Sequence, residues 1–119
     1  MGGVMGRVLG LHEVELRPDV DPSEFERVFA DEIATSATPP GFRARLLKGE
    51  RGDRTGKFLV LMEMDDVETF HQYFPEPDVV SEQLGQFMQQ HPDTAAAWDK
   101  MSSFTVEPDT VTDYVVVVE

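Results

Sequence analysis

A chain of 119 residues with 40% apolar side chains is long enough to bury one hydrophobic core and too apolar to be disordered. Its formal net charge of −13 argues against a nucleic-acid-binding protein, which needs clustered Lys and Arg to neutralise phosphates, and an anionic membrane surface would repel it as well. The absence of cysteine excludes disulfides, thiolate metal sites and a cysteine nucleophile. We therefore expect a globular protein with neither nucleic-acid nor membrane partners.

The order of residues shows no targeting segment and no domain boundary. Residues 1–6 lack the basic start and apolar core of a secretory signal, so a cytoplasmic protein is expected. No repeat, low-complexity tract or linker composition divides the chain. A single domain over residues 1–119 is predicted.

The first predicted strand covers residues 7–16. Because side chains alternate between the faces of a strand, one face carries Val8, Gly10, His12, Val14 and Leu16. The other face begins with Leu9 and Leu11. A strand that is apolar on both faces is typical of the interior of a sheet covered on two sides.

A helix is predicted to start at residues 21–24 (Asp-Pro-Ser-Glu). Asp21 is the expected N-cap, Pro22 takes the first helical position and Glu24 completes a capping-box pattern. The helix should end before residues 38–41 (Thr-Pro-Pro-Gly), since neither proline can continue it.

Two further strands, 42–48 and 57–64, are predicted to form a hairpin through the glycine-rich residues 49–56. One face of this hairpin is almost purely apolar: Phe42, Ala44, Leu46, Phe58, Val60 and Met62. The opposite face carries Leu47, Leu59 and Leu61 among charged residues.

The second half of the chain is predicted to be mainly helical, with interruptions. It is predicted to open at Asp65, to break at residues 75–77 (Pro-Glu-Pro), and to resume with caps at Ser81 and Asp93. A β-branched run over residues 112–118 predicts the last strand.

The order β, α, β, β, α, β predicts an α+β, ferredoxin-like fold, with a four-stranded antiparallel sheet and helices on one face. The other face then carries five leucines, whose exposure would cost about 1.5–3 kcal/mol each. A homodimer that buries this face is predicted. The alternative is a monomer whose leucines lie under loops.

This architecture, with a sheet apolar on both faces and a Val-rich last strand, resembles the dimeric α/β-barrel superfamily, which includes antibiotic-biosynthesis monooxygenase-like and stress-responsive barrel domains. The resemblance covers nearly the whole chain and rests on architecture. It implies a pocket between sheet and helices, and the activities include cofactor-independent oxygenases and isomerases. The haem-degrading members use Asn, Trp and His, and this chain has no Asn.

His12, His71 and Tyr73 are the candidate catalytic residues. His12 lies on the predicted helix-covered face, where it could serve as a base, while His71 and Tyr73 precede a helix break that could overhang a pocket. The predicted ligand-binding residues are Gly10, Phe58, Met62 and Trp98. Each has a structural alternative, since a histidine or an aromatic stripe in a core is more often packing than chemistry.

Two functions are therefore open. The first is a homodimer of undetermined activity that binds a small apolar or aromatic molecule; its enzyme version is a cofactor-independent monooxygenase or isomerase. The second is a non-catalytic domain for assembly or partner binding, without a ligand pocket. No metal site is expected, because the three histidines form no HxH or HExxH pattern.

Overall fold

The computed structural model describes residues 6–76, 79–106 and 110–118. Its elements are β1 (Val8–Val14), α1 (Pro22–Val28), a π-helical turn (Phe29–Ile33), β2 (Phe42–Lys48), β3 (Phe58–Met64), α2 (Val67–Tyr73), α3 (Glu82–Gln90), α4 (Pro92–Ser103) and β4 (Thr110–Val115). The sheet order is β2-β3-β1-β4, and every neighbouring pair is antiparallel. The predicted ferredoxin-like α+β fold is confirmed, with β1 in the interior of the sheet.

Two of the predicted helix caps are present. The Asp21 carboxylate accepts a hydrogen bond from the backbone N–H of Ser23 at 2.9 Å, and Pro22 occupies the first turn of α1. The Ser81 hydroxyl accepts from the N–H of Leu84 at 3.1 Å and starts α3. Each cap satisfies a backbone donor that the first helical turn leaves without a partner.

Two predicted caps are wrong. Asp66 caps α2 by accepting from the N–H of Thr69 at 2.7 Å, while Asp65 pairs with a sheet arginine instead. Asp93 lies inside α4, because Pro92 takes its first position and leaves the N-cap to His91.

The last strand also differs from its predicted bounds. It covers Thr110–Val115, because its pairing with β1 runs from Glu13 to Val8, whereas the sequence run suggested 112–118. The predicted break at residues 75–77 includes Pro77, which is outside the described residues, as are the first five residues of the chain.

The helices pack against one face of the sheet and form two apolar clusters with it. The main cluster consists of Val14, Phe25, Val28, Phe29, Ile33, Phe58, Val60, Ala97 and Met101. The second cluster consists of Val8, Met64, Tyr73 and Leu84. Within residues 6–76, 79–106 and 110–118, no helix is both long and apolar enough to cross a membrane.

Phe25 packs α1 against the sheet within the main cluster. It is 1% exposed, and its ring centroid lies 5.0 Å from that of Phe58 and 6.2 Å from that of Phe104. Aromatic contacts of this kind add to the gain from burying the ring itself.

We predict that Phe25→Ala lowers the free energy of unfolding by about 3–5 kcal/mol, because it removes a buried ring and leaves a cavity. Urea denaturation followed by circular dichroism measures the change. The matched control is Glu26→Ala, the exposed neighbour on the same helix, which should change stability by less than about 1 kcal/mol. Equal effects of the two variants would contradict the assigned core.

Candidate functional site

His12 lies on the helix-facing side of the sheet, in the interior strand β1. It is half-buried, and its register neighbours are Val60 on β3 and Val111 on β4. Val14, the next residue of β1 on this face, belongs to the main apolar cluster. The imidazole therefore stands at the margin of that cluster.

Gly10 provides the space beside His12. A Cβ atom added to Gly10 would stand 3.4 Å from His12 Nε2 and 2.9 Å from Asp113 Oδ1. The ring and the carboxylate thus converge on the volume that a side chain at position 10 would occupy. Asp113 is the β4 residue directly opposite Gly10.

The helices leave β4 uncovered on this side. Val111 and Val115 share the face of His12, yet they are 49% and 47% exposed. On β3, by contrast, Val60 is only 5% exposed. His12 and Gly10 lie between these two strands, where the buried part of the face gives way to the exposed part.

The predicted ligand-binding residues occupy different layers. Met62 is half-buried and lies opposite Gly10 in the β1–β3 register. Phe58 is 3% exposed and packs on Phe25 in the main cluster. Trp98 lies on α4 with its ring edge-to-face against Phe29, the two ring centroids 6.3 Å apart. Gly10, His12 and Met62 are the members of the predicted site that the register places side by side.

His71 and Tyr73 lie elsewhere. Tyr73 belongs to the second cluster around Val8, four positions along β1 from His12, which is about 13 Å of strand. Its hydroxyl donates to the carbonyl of Pro40 at 3.4 Å. His71 is exposed on α2, beside the ring of Phe70. The structure does not bring this pair to His12.

Two grooves open on the described surface. The larger, of 570 Å³, lies between the π-helical turn and the start of α4 and is lined by Thr35, Ser36 and His91 among others. The smaller, of 360 Å³, lies where β1 ends and is lined by Val14, Phe58, Arg54 and Thr110 among others. His12 lines neither groove, although the lining of the smaller one includes Val14, the next residue of β1 on the same face.

Metal ligands do not converge here. In the part of the chain that the structure describes, no three His, Asp or Glu side chains come together as a candidate metal site.

The opposite face of the sheet, which we call the open face, is apolar at its centre. Leu9, Leu11, Leu59 and Leu61 are half-buried there, and Leu47 is 44% exposed.

A charged cluster marks one end of the open face. The Glu63 side chain is 5% exposed and accepts hydrogen bonds from Arg45 at 2.7 Å and Arg7 at 3.1 Å, with Arg43 at 3.8 Å. The pKa of Glu63 is lowered, mainly by the hydrogen bond from Arg45, which together with the charges of Arg45, Arg43 and Arg7 outweighs the burial that would raise it.

Solved structures of several proteins have the same fold. SnoaB from Streptomyces nogalater, a cofactor-independent oxygenase, is 17% identical, with a TM-score of 0.58 over 96% of each chain. A protein assigned as an antibiotic biosynthesis monooxygenase from Bordetella bronchiseptica is 13% identical, with a TM-score of 0.60 over 95% of this chain and 99% of that one. A dimeric ferredoxin-like protein of unknown function from Thermobifida fusca is 14% identical, with a TM-score of 0.57 over 94% and 92% of the two chains. No family model and no curated protein matches this sequence.

The chain has the same ferredoxin-like α+β fold as these proteins. The likeness covers nearly the full length of both partners in each comparison. At these identities it establishes the fold.

Sequence reasoning missed Asp113 and the role of Glu63. Asp113 lies between Val111 and Val115 in an alternating run, so a charged residue on the helix-facing side of the last strand was the available signal. For Glu63, the signal was a lone carboxylate opposite Arg43 in the hairpin register.

We predict that Glu63→Gln lowers the free energy of unfolding by about 1.5–3 kcal/mol at pH 7, because it removes a charged acceptor from three arginines. The pKa of Glu63 is lower in the folded chain than its ordinary value of 4.5, so this stabilisation is complete above pH 4.5 and is lost as the pH falls through the folded pKa. Urea titrations of the wild type and the variant at several pH values from 7 down to 3 measure the difference between their free energies of unfolding. This difference should become smaller below pH 4.5.

Glu13→Gln is the control, since Glu13 forms a single ion pair with Arg54 at 3.2 Å and its side chain is 38% exposed. Its effect should stay below about 1 kcal/mol. If the stability difference between the wild type and Glu63→Gln stays constant down to pH 3, the ion pairs of Glu63 do not lower its pKa as described.

Proposed function

We propose that this chain forms a homodimeric α/β barrel, binds a small apolar or aromatic molecule beside His12, and uses His12 as a general base in cofactor-independent monooxygenase or isomerase chemistry. One observation carries the proposal. His12 is a half-buried imidazole next to Gly10, at the border between buried and exposed parts of an otherwise apolar sheet face.

An imidazole in this setting suits proton abstraction from carbon. Histidine is the side chain that most often accepts and donates protons in general acid–base catalysis. The apolar residues next to it, Val60 and Val14, exclude water from one side, and the exposed valines of β4 offer apolar surface to a ligand on the other. A proton removed from an activated carbon can return to a different carbon, which is isomerisation, or the carbanion can react with dioxygen.

The smaller groove supports a bound molecule next to this base. It is lined by Glu13, Val14 and Phe58 among others, so a molecule lying in it would contact β1 at the residues that follow His12 in the chain. Its volume of 360 Å³ falls in the range of small-molecule sites. Phe58 and Met62 keep their predicted roles as apolar contacts.

The fold relatives support the class of reaction. SnoaB is a cofactor-independent oxygenase with the same fold, and such chemistry needs a base and an apolar pocket from the protein itself. The variants below test whether His12 or His71 takes part in the reaction.

The homodimer is proposed from the open face. Its half-buried leucines and the exposed Tyr114 form one apolar surface on the side of the sheet away from the helices. A continuous apolar surface of this kind is typical of an interface. The Thermobifida fusca protein of the same fold is dimeric.

We predict that the protein accelerates exchange of the α-protons of 2-tetralone, an apolar aromatic ketone, in deuterated water. His12→Gln should reduce this acceleration by about 10-fold or more, because it removes the base. Proton NMR of the ketone measures the rate. The matched control is His91→Gln, which removes a histidine from the larger groove and should leave the rate unchanged.

The same assay on His71→Gln decides whether the exposed histidine takes part. Equal rates for wild type, His12→Gln and His91→Gln would remove His12 as the base and favour the non-catalytic, partner-binding alternative.

We further predict that the wild-type protein has the mass of a dimer in native mass spectrometry and that Leu61→Asp shifts it to monomer. A carboxylate at the centre of an apolar interface should weaken association by about 100-fold or more, because its desolvation costs several kcal/mol. Val80→Asp, which places the same charge on an exposed valine outside the sheet, should remain dimeric. A wild-type monomer at micromolar concentration would contradict the proposed interface.

A further inference from the structure

We propose that charges on the open face set the orientation of the two subunits in the homodimer, with Arg45 of each subunit against Glu13 of the partner subunit. This inference rests on the homodimer proposed above and names the contacts of that interface. It gives the open face one occupant, a second copy of this chain in one orientation.

The strand registers place four charged side chains on the open face within the bounds of the four strands. They are Glu13 on β1, Arg43 and Arg45 on β2, and Glu63 on β3. Two of them are engaged within the subunit. The Glu63 side chain is enclosed by its arginines, and Arg43 pairs with Asp65 at 3.1 Å as well as with Glu63.

Arg45 and Glu13 are the two charges that can reach a partner subunit. The Arg45 side chain is 62% exposed, and of its five N–H donors one is used in the described part of the chain, in the hydrogen bond to Glu63. The Glu13 side chain is 38% exposed and pairs through Oε1 with Arg54. Its second carboxylate oxygen can accept from another donor.

These two charges lie diagonally about the centre of the leucine surface. Arg45 is opposite Leu61 and Glu13 is opposite Leu59, on the two strands that flank β3. The midpoint between the charges therefore falls on β3, between Leu59 and Leu61. With strands about 4.8 Å apart and residues on one face about 6.6 Å apart along a strand, the two positions are about 12 Å from each other.

Two-fold symmetry makes this diagonal arrangement self-complementary. In a two-fold dimer each contact occurs twice, with the roles of the subunits exchanged. Consider an axis in the plane of the interface that passes through the midpoint, perpendicular to the line between the two charges. It places Arg45 of each subunit opposite the partner's Glu13, while Leu59 and Leu61 of both subunits lie next to the axis.

The charges disfavour another symmetric packing of the same face. Arg45, Leu61, Leu11 and Thr112 form the middle row across the four strands. A two-fold axis along this row would also bury the leucines, but it would bring Arg45 against the partner's Arg45. Like charges across an interface cost affinity, so charge selects between packings that apolar burial alone does not distinguish.

The test mixes two charge-reversed variants, Arg45→Glu and Glu13→Arg. The homodimer of either variant sets like charges against each other, so its dissociation constant should rise by about 10-fold or more. In the mixed dimer both contacts again join opposite charges. Native mass spectrometry separates the three dimers by mass, and after subunit exchange the mixed dimer should make up about 90% of all dimers, where random pairing gives one half.

The matched control is the pair Arg27→Glu and Asp31→Arg. It makes the same changes of charge on side chains that are 61% and 62% exposed, in the helix layer and away from the open face. The mixture of these two variants should contain the mixed dimer at the random proportion of one half.

Arg45→Glu also removes a partner of Glu63, so circular dichroism first establishes that this variant folds. If it does not fold, Arg45→Gln, Glu13→Gln and their double variant replace the mixing experiment, with dissociation constants from analytical ultracentrifugation. A direct contact between the two side chains predicts that the double variant is weakened by less than the product of the two single effects.

The outcomes separate this inference from the homodimer on which it rests. If the wild type is a dimer that Leu61→Asp dissociates, then random mixing, an equal excess of the mixed dimer in the control pair, or independent effects in the neutral variants overturns the orientation alone. A monomeric wild type, or a dimer that Leu61→Asp leaves intact, overturns the homodimer through the open face and the orientation with it.

Discussion

A four-stranded sheet has two faces, and the helices of this chain cover one of them. The interior strands β1 and β3 carry apolar side chains on both faces, and the helices bury the side chains of one face only. Leu9, Leu11 and Leu61 on the open face remain half-buried. The homodimer proposed above would cover these side chains.

The same incomplete cover positions the candidate site. The helix layer buries Val60 on β3 but stops short of β4, where Val111 is half-exposed. His12 lies between them, on the strand where apolar surroundings and access from solvent coexist. A base needs both conditions, since apolar neighbours exclude water from one side of it and the open side admits a substrate.

Much of this was predictable because strand alternation is a strict rule. The two-residue period alone placed Gly10 and His12 on the helix-covered face and the leucines on the other. The caps at Asp21 and Ser81 were predictable because an acceptor side chain precedes an apolar periodic run. The prediction failed at Asp65, because Arg43 pairs with Asp65 and leaves the adjacent Asp66 to cap the helix. It failed at Asp93 because Pro92 takes the first helical position and leaves the N-cap to His91.

The site was less predictable than the fold, because it depends on register between strands. Alternation gives a face but does not say which residue of β4 lies opposite Gly10, and the β-branched run suggested bounds shifted by a few residues. Tyr73 illustrates the same limit. It was expected near His12 because it precedes a helix break that could overhang a pocket, but it packs beside Val8, at the other end of the strand.

Glu63 and His12 are polar side chains on opposite faces of the sheet, and their surroundings suit different roles. Glu63 is nearly enclosed, with three arginines around one carboxylate, and its charge is fixed across the physiological range by those contacts. Such a group stabilises one arrangement and has no proton to exchange at neutral pH. His12, by contrast, is half-buried at the border of the exposed part of the sheet, next to Gly10. Glycine in the interior of a strand costs stability, and the proposed site would account for that cost at Gly10.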